Sequence, residues 1–424
     1  MAAPAITPTP RSLAELPRAA LLPVALETMH VGHLLDRALM PHVAIATKSV
    51  DAVEEIAIDE WMGASPVYTA RMRRLMGIRG DGVDAILKAL QLDVGFPHQY
   101  MDVAWKLVDE RHAEFWLRHC GALMDVEPYG ERRVVGMCHH IEDPTFDATA
   151  YATNPRARIR PIHRPPRVPA DRTPHCHWTI EIDPANEPVG PATHTGAVAA
   201  LALAQISQPG LGAKAGEAPD GRIDYGGAFD PDFRLGVLST PTLAAVTREF
   251  QAQSHLLSCA AELTLARRLD AAGARALLAS QWTGASWVAS QRLASALGLS
   301  GGGSATIAAV LLLLATLPPG FERRVEVERD RVRLLLEPES AALLDPEHPG
   351  WLGLLARGEP RGIEAAARAI EPRARLAGLA IRDGRIEIEV VVEAGAAPAE
   401  PPPEIAFMRL SGATAWRFDL ARER

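Results

Sequence analysis

The residues that carry the most chemistry are histidines and cysteines, and they are unevenly spread. All but three of the fourteen histidines fall between residues 30 and 177, and several sit beside a cysteine: His139 and His140 follow Cys138, while His175 and His177 flank Cys176. Imidazole titrates near neutral pH and is the commonest metal ligand. In "HCHWTIEI" (175–182), strand alternation places His175, His177, Thr179 and Glu181 on one face and Cys176, Trp178, Ile180 and Ile182 on the other. Two imidazoles side by side begin a site for a divalent metal, zinc or iron. The same alternation equally describes a polar face turned to water. In "MCHHI" (137–141), His139 or His140 would meet the His175/His177 face if the two strands paired. That gives three ligands and an open position, as catalytic metals require.

Glu60 and His119 are the candidates for moving protons. Glu60 directly precedes a repeated Trp-x-Gly-Ala-Ser, and the second occurrence has Gln281 in its place. A general base has to be ionisable, so the exchange fits loss of a catalytic group; it also fits an exposed helix position. Segment 101–119 reads as a helix, because Trp105, Val108, His112, Phe115 and His119 recur at the spacing of one face. Seven residues at a rise of about 1.5 Å separate His112 from His119 by roughly 10 Å, so at most one joins a metal. Trp105, His112, Phe115, Trp116 and His163 are candidates to line a substrate pocket, and hydrogen-bonded core histidines are the plainer alternative.

The elements that would position these residues occur twice. "EWMGASPVYTARMRRLMGI" (60–78) is echoed by "QWTGASWVASQRLASALGL" (281–299), and "HLLDRALMPHVAIA" (33–46) by "HLLSCAAELTLARR" (255–268). "CGALMDVEP" (120–128) answers "SAALLDPEH" (340–348), and "NPRARI" (154–159) answers "EPRARL" (371–376). Four blocks in unchanged order predict an internal duplication. Copy one is expected over 28–190 after an N-terminal extension (1–27), and copy two over 238–395. A Gly/Pro/Asp-rich linker (191–237) joins them and a Pro-led tail (396–424) follows.

Helices are expected over 49–61, 66–76 and 83–92, with Ser49 as an N-cap. Strands are expected over 132–141, 156–163, 175–182 and 384–393. Segment 322–337 reads as strand or charged helix, and its alignment to 101–116 favours helix. The class is α+β, each copy placing helices before an antiparallel sheet and the two packing about a pseudo-two-fold axis. Copy two lacks nearly all the histidines, so copy one is expected to hold the site and copy two to be structural. Drift on a solvent-facing sheet would also remove histidines.

Composition narrows the partners. A net charge of −8 argues against nucleic acid, despite a local run of Arg156, Arg158, Arg160, Arg164 and Arg167. "AAVLLLLATL" (308–317) is half the roughly 20 residues needed to span a bilayer and reads as a buried helix. Prolines and charges interrupt the N-terminal stretch, which gives no secretion signal, and four scattered cysteines suit a reducing cytoplasm. No Gly-x-Gly-x-x-Gly, phosphate-binding loop, Gly-x-Ser-x-Gly or His-Glu-x-x-His occurs.

In copy one the order of "EWMGASPVYTARMRRLMGI", "RHC" (118–120), "VVGMCHH" and "NPRARIRPIHRPPRVPADRTPHCHW" resembles an uncharacterised bacterial and archaeal domain family of unknown function. Cys120, Cys138, Pro165, Pro166, Cys176 and Trp178 are the matching positions. More distantly, residues 60–180 are similar to the amino-thiazoline-carboxylate hydrolase family. The resemblance implies a small α+β hydrolytic or ligand-binding domain. Three readings follow: a metal-dependent hydrolase or lyase acting on a small organic molecule, a non-catalytic sensor with an apolar pocket, and a structural protein.

Overall fold

The computed structural model describes residues 12–212 and 218–423; the first eleven residues of the expected extension, the centre of the expected linker and Arg424 lie outside the described residues. The N-terminal half opens with two long helices, α1 (Arg18–Thr47) and α2 (Val50–Leu75). α1 is apolar almost all round and buried along most of its length, as a core helix must be. Ser49 caps α2 by accepting the Ala52 N–H, and the helices expected over 49–61 and 66–76 are one helix running through Pro66. α3 (Val83–Leu90) follows.

The segment expected as a helix over 101–119 is instead a hairpin of β1 (Met101–Leu107) and β2 (His112–Cys120). Met101, Val103 and Trp105 are buried, and so are Ala113, Phe115 and Leu117, so each arm has period two. A turn between the arms, where Asp109 accepts the Arg111 and His112 N–H groups, offsets the two patterns into an apparent helical spacing. The reverse correction applies to 132–141, expected as a strand. After α4 (Gly121–Val126), α5 (Glu131–Val135) runs through a π-turn at Gly136–Ile141 into α6 (Glu142–Tyr151). Its apparent alternation hides helical burial of Val134 and Cys138. β3 (Ala157–His163) and β4 (Cys176–Ile182) fall where expected and complete an antiparallel sheet of order β1-β2-β4-β3. α7 (Thr195–Ala200) closes the half.

The C-terminal half also places three helices before a hairpin and further helices before a second strand pair. α8 (Thr240–Leu265), α9 (Ala271–Ala296) and α10 (Ser304–Leu313) precede β5 (Phe321–Glu328) and β6 (Arg331–Pro338). Segment 322–337 is thus a hairpin, not a helix, and matches the hairpin to which it aligns. α11 (Trp351–Ala356), α12 (Arg361–Ile370), β7 (Ala374–Arg382) and β8 (Arg385–Val392) follow, in a second antiparallel sheet of order β5-β6-β8-β7. The architecture is α+β with two four-stranded antiparallel sheets.

The halves are interlocked through their helices: α1 packs on α8 and α9, and α2 on α8. Buried ion pairs cross between them, Arg71 of α2 to Glu249 of α8 and Arg292 of α9 to Glu27 of α1, each at 2.7 Å. The expected C-terminal tail is folded. α13 (Glu404–Met408) packs on α9 and α1, and α14 (Gly412–Ala415) rests on α4. Asp125 accepts from the Ser411 hydroxyl and the Gly412 N–H, and Glu423 meets His98 and Gln99. Residues expected as the start of the linker form α7 and a short 3-10 turn (Ala202–Gln205), where Arg71 donates to the Ala204 and Ile206 carbonyls. Among the described residues no helix is long and apolar enough to cross a membrane.

Candidate active site

Between α1, α2, α6 and the inner face of the first sheet lies a cavity of about 230 Å³. Its walls are largely apolar, with Trp61, Phe96, Met101, Phe146 and Trp178 the bulkiest contributors. Into this lining the fold sets carboxyls from four elements; one of them, Glu54 of α2, is held by Arg132 and His140. Asp36 comes from α1, Asp93 from the loop after α3, and Glu142 from the first turn of α6.

Their environments separate them. Burial lifts Asp36 to about 6, against the pull of Arg37 and of the Trp61 indole N–H, which donates to Oδ2 at 3.3 Å; Oδ1 has no partner. Burial lifts Asp93 to about 6 as well, although its Oδ1 accepts from the Gly95 N–H at 2.7 Å and the Tyr68 hydroxyl at 3.1 Å. Glu142 goes further, to about 8, because burial and the neighbouring Asp143 charge outweigh the Arg164 guanidinium. Its Oε2 is also buried without a partner. At neutral pH the cavity therefore holds a protonated carboxyl and carboxyls that are mostly ionised, the division of labour that general acid–base chemistry needs.

Glu60, expected either as a proton carrier or as an exposed helix residue, is wholly buried. Neither oxygen has a partner, and burial together with the Asp36 charge holds its pKa well above the carboxylate range. It stands behind the cavity wall, beside Asp36, rather than in the lining. His119 packs flat on Trp416 at 5.2 Å and approaches His175 at 5.6 Å, away from the cavity; burial lowers its pKa.

The four expected metal ligands are distributed among separate partners. His139 Nε2 donates to the Pro165 carbonyl at 2.6 Å, and His140 Nδ1 lies 2.8 Å from Glu54. His175 Nδ1 accepts the Cys120 N–H at 3.1 Å, and burial lowers this imidazole to about 4. His177 Nε2 meets Glu114 at 3.0 Å on the outer face of the sheet, edge-on to Trp116. The convergence expected from strand pairing does not form, because His139 and His140 lie in the π-turn instead of a strand. Among the described residues no group of three or more His, Cys, Asp or Glu side chains is placed to hold a metal ion.

The expected pocket residues also divide. Trp105 and Phe115 are core residues packed on Phe96, one layer behind the cavity. Trp116 is on the other face of its strand, His163 lies beside His177, and exposed His112 pairs with Asp109 and Glu181. Cys176 does line the cavity. Burial first, then the Glu142 charge, pushes Cys138, Cys176 and Cys120 up, Cys120 to about 12, so all three are thiols at neutral pH.

Asp36, Asp93 and Glu142 were not singled out by sequence reasoning. A signal existed for Asp36: the Asp-Arg pair interrupts the apolar run of α1, and the aligned positions are Ser258 and Cys259. In the C-terminal half, two fully buried indoles, Trp282 and Trp351, stack between α8, α9 and α11. There Gln281, aligned with Glu60, accepts the Trp351 indole N–H at 3.1 Å, and His255, aligned with His33, sits edge-on to Trp351. Comparison with family models, curated proteins and solved structures finds no match to this chain.

Proposed function

We propose that the N-terminal half is an enzyme site for a small organic molecule, hydrolytic in type, in which Glu142 donates a proton and Asp36 accepts one. The observation that carries this reading is the pairing of one cavity with two carboxyls, each with a free buried oxygen, whose environments hold one protonated and the other largely ionised near pH 7. Proton transfer of this kind contributes about 10²–10⁴-fold to rate. Asp93, fixed by Tyr68 and Gly95, and Glu60, beside Asp36, tune the field around the base.

The halves are read as a duplication about a pseudo-two-fold axis. Support comes from the repeated blocks, the identical strand order and the reciprocal pairs Arg71–Glu249 and Arg292–Glu27. The second copy, with Gln281 for Glu60 and indoles stacked beside it, serves as scaffold. A metal-assisted version of the chemistry has less to draw on, since His139, His140, His175 and His177 are each engaged separately. Four free cysteines fit a reducing cytoplasm.

The test is turnover of a panel of small esters, amides and cyclic amides by the wild-type chain, Glu142→Gln and Asp36→Asn. Both variants are expected to fold and to lose about 10²-fold or more in kcat. Unchanged kcat in both would overturn the assignment. A second reading, a binding protein without chemistry, is favoured by the apolar lining; it predicts a ligand recovered unchanged from the wild-type chain.

A further inference from the structure

The cavity is not closed at α1. A second chamber, of about 350 Å³, shares Asp36, Arg37, Met40, Val53, Val126 and Arg133 with the first and continues outward. The shared wall is a neck with two guanidiniums. Arg37 Nε is held by Asp125 at 2.6 Å, but its Nη2 is buried and has no partner. The Arg133 guanidinium makes no hydrogen bond or ion pair among the described residues. The acids nearby are already engaged or, like Asp36, which accepts from the Trp61 indole, make no ion pair with either guanidinium among the described residues. Asp125 also accepts from Tyr100, Ser411 and Gly412, Glu54 is held by Arg132 and His140, and Asp36 is the raised carboxyl described above.

Beyond the neck the lining turns apolar, with Pro41, Ala44 and Ile45 of α1, Tyr129, and Phe407 and Leu410 contributed by the C-terminal half. Three of these are large and open to solvent on one rim, Ile45 at 60%, Tyr129 at 57% and Leu410 at 65%. Apolar side chains gathered at the mouth of a chamber mark a surface that a ligand covers. An unpaired cation at the inner end calls for an anionic group, and a guanidinium pairs with a carboxylate through two parallel hydrogen bonds.

We infer that the outer chamber takes the chain of an anionic amphiphile, a medium-chain carboxylate in kind, with its carboxylate set between Arg37 and Arg133. The inference rests on the cavity being a ligand site, not on the acid–base role of Glu142. It also gives the second half a part in recognition, since Phe407 and Leu410 form one side of the groove.

The test is calorimetric titration of the full chain with octanoate, octanol and octyltrimethylammonium. Octanoate is expected to bind tightest. Arg133→Gln is expected to weaken octanoate about tenfold or more while leaving octanol unchanged, and Arg133→Lys to restore part of the loss. Leu410→Asp is expected to weaken both, whereas Leu107→Asp, at an exposed position on β1, changes neither. Octanoate binding no tighter than octanol, or octanoate affinity unaltered in Arg133→Gln, would overturn the inference. Glu142→Gln is expected to leave octanoate affinity unchanged, so failure of the acid–base reading and failure of this one are told apart.

Discussion

Arg71 and Glu249 meet at 2.7 Å from opposite halves of the chain, with side chains only 2% and 1% exposed. The contact is bidentate, Nε and Nη2 each reaching one carboxylate oxygen, and Nη1 spans the carbonyls of Ala204 and Ile206. Arg292 meets Glu27 through Nε alone, and its Nη1 reaches the carbonyls of Ala413, Thr414 and Trp416.

Removing one partner of such a pair strands a buried charge. Arg71→Met is expected to cost about 3–5 kcal/mol in urea unfolding, and Arg71→Met with Glu249→Leu to recover most of it. A double variant no more stable than the single one would show that the pair is not the source of the loss.

Glu142 keeps its proton up to about pH 8, against an ordinary value of 4.5. Its contribution to stability is full below about 4.5 and is lost as pH rises through about 8. Glu142→Gln is therefore expected to melt above the wild type at pH 9 and to lose an infrared band of a buried protonated carboxyl that titrates away near pH 8. A wild-type spectrum with no such band at pH 7 contradicts the assignment.

His33 has the opposite sign. Burial, then the Arg37 charge, lowers it to about 4 from 6.5. The stability it confers is present above about 6.5 and lost as pH falls through 4. Asp36 and Asp93, raised to about 6, act in the other direction between 3.8 and 6, so the comparison has to be made against a variant. The acid limb of the melting temperature is expected to be shallower in His33→Gln than in wild type.

Asp125 joins four groups: Arg37, Tyr100, the Ser411 hydroxyl and the Gly412 N–H. Asp125→Ala is expected to cost about 1–3 kcal/mol and to raise amide exchange selectively over 404–416. Uniform exchange across the chain would mean that Asp125 does not anchor that segment.

Trp351 is wholly buried, stacked on Trp282 and donating to Gln281. Trp351→Ala is expected to cost about 3–5 kcal/mol and to leave a void able to take indole, seen as a rise in melting temperature with added indole.

How far the sequence carried is clearest in particular residues. Trp61 and Trp282, with the glycines around them, fall in long helices of the two halves, α2 and α9, as the repeated blocks lead one to expect. The hairpin at 101–120 imitates a helix in the sequence because Val108, His112 and Phe115 span a turn yet fall at helical intervals. The same helical reading passed to 322–337 through its alignment to 101–116, and both segments are hairpins. Asp36 and Glu142 were missed for a different reason. A carboxyl becomes an acid or a base through burial, and burial is set by partners a hundred residues away. The histidines were conspicuous by type, whereas the structure gives each its own hydrogen bond.

The crossing of α1 and α2 with α8 and α9 has a consequence for how the chain can be divided. Neither half buries its long helices alone, and each presents an arginine or a glutamate that only the other half neutralises. Two polypeptides cut between Gln208 and Asp220, ahead of the buried Tyr225, Phe233 and Leu235, are therefore expected to be insoluble or unfolded apart and to reassemble on mixing. The molecule is in effect a heterodimer whose subunits share one peptide chain.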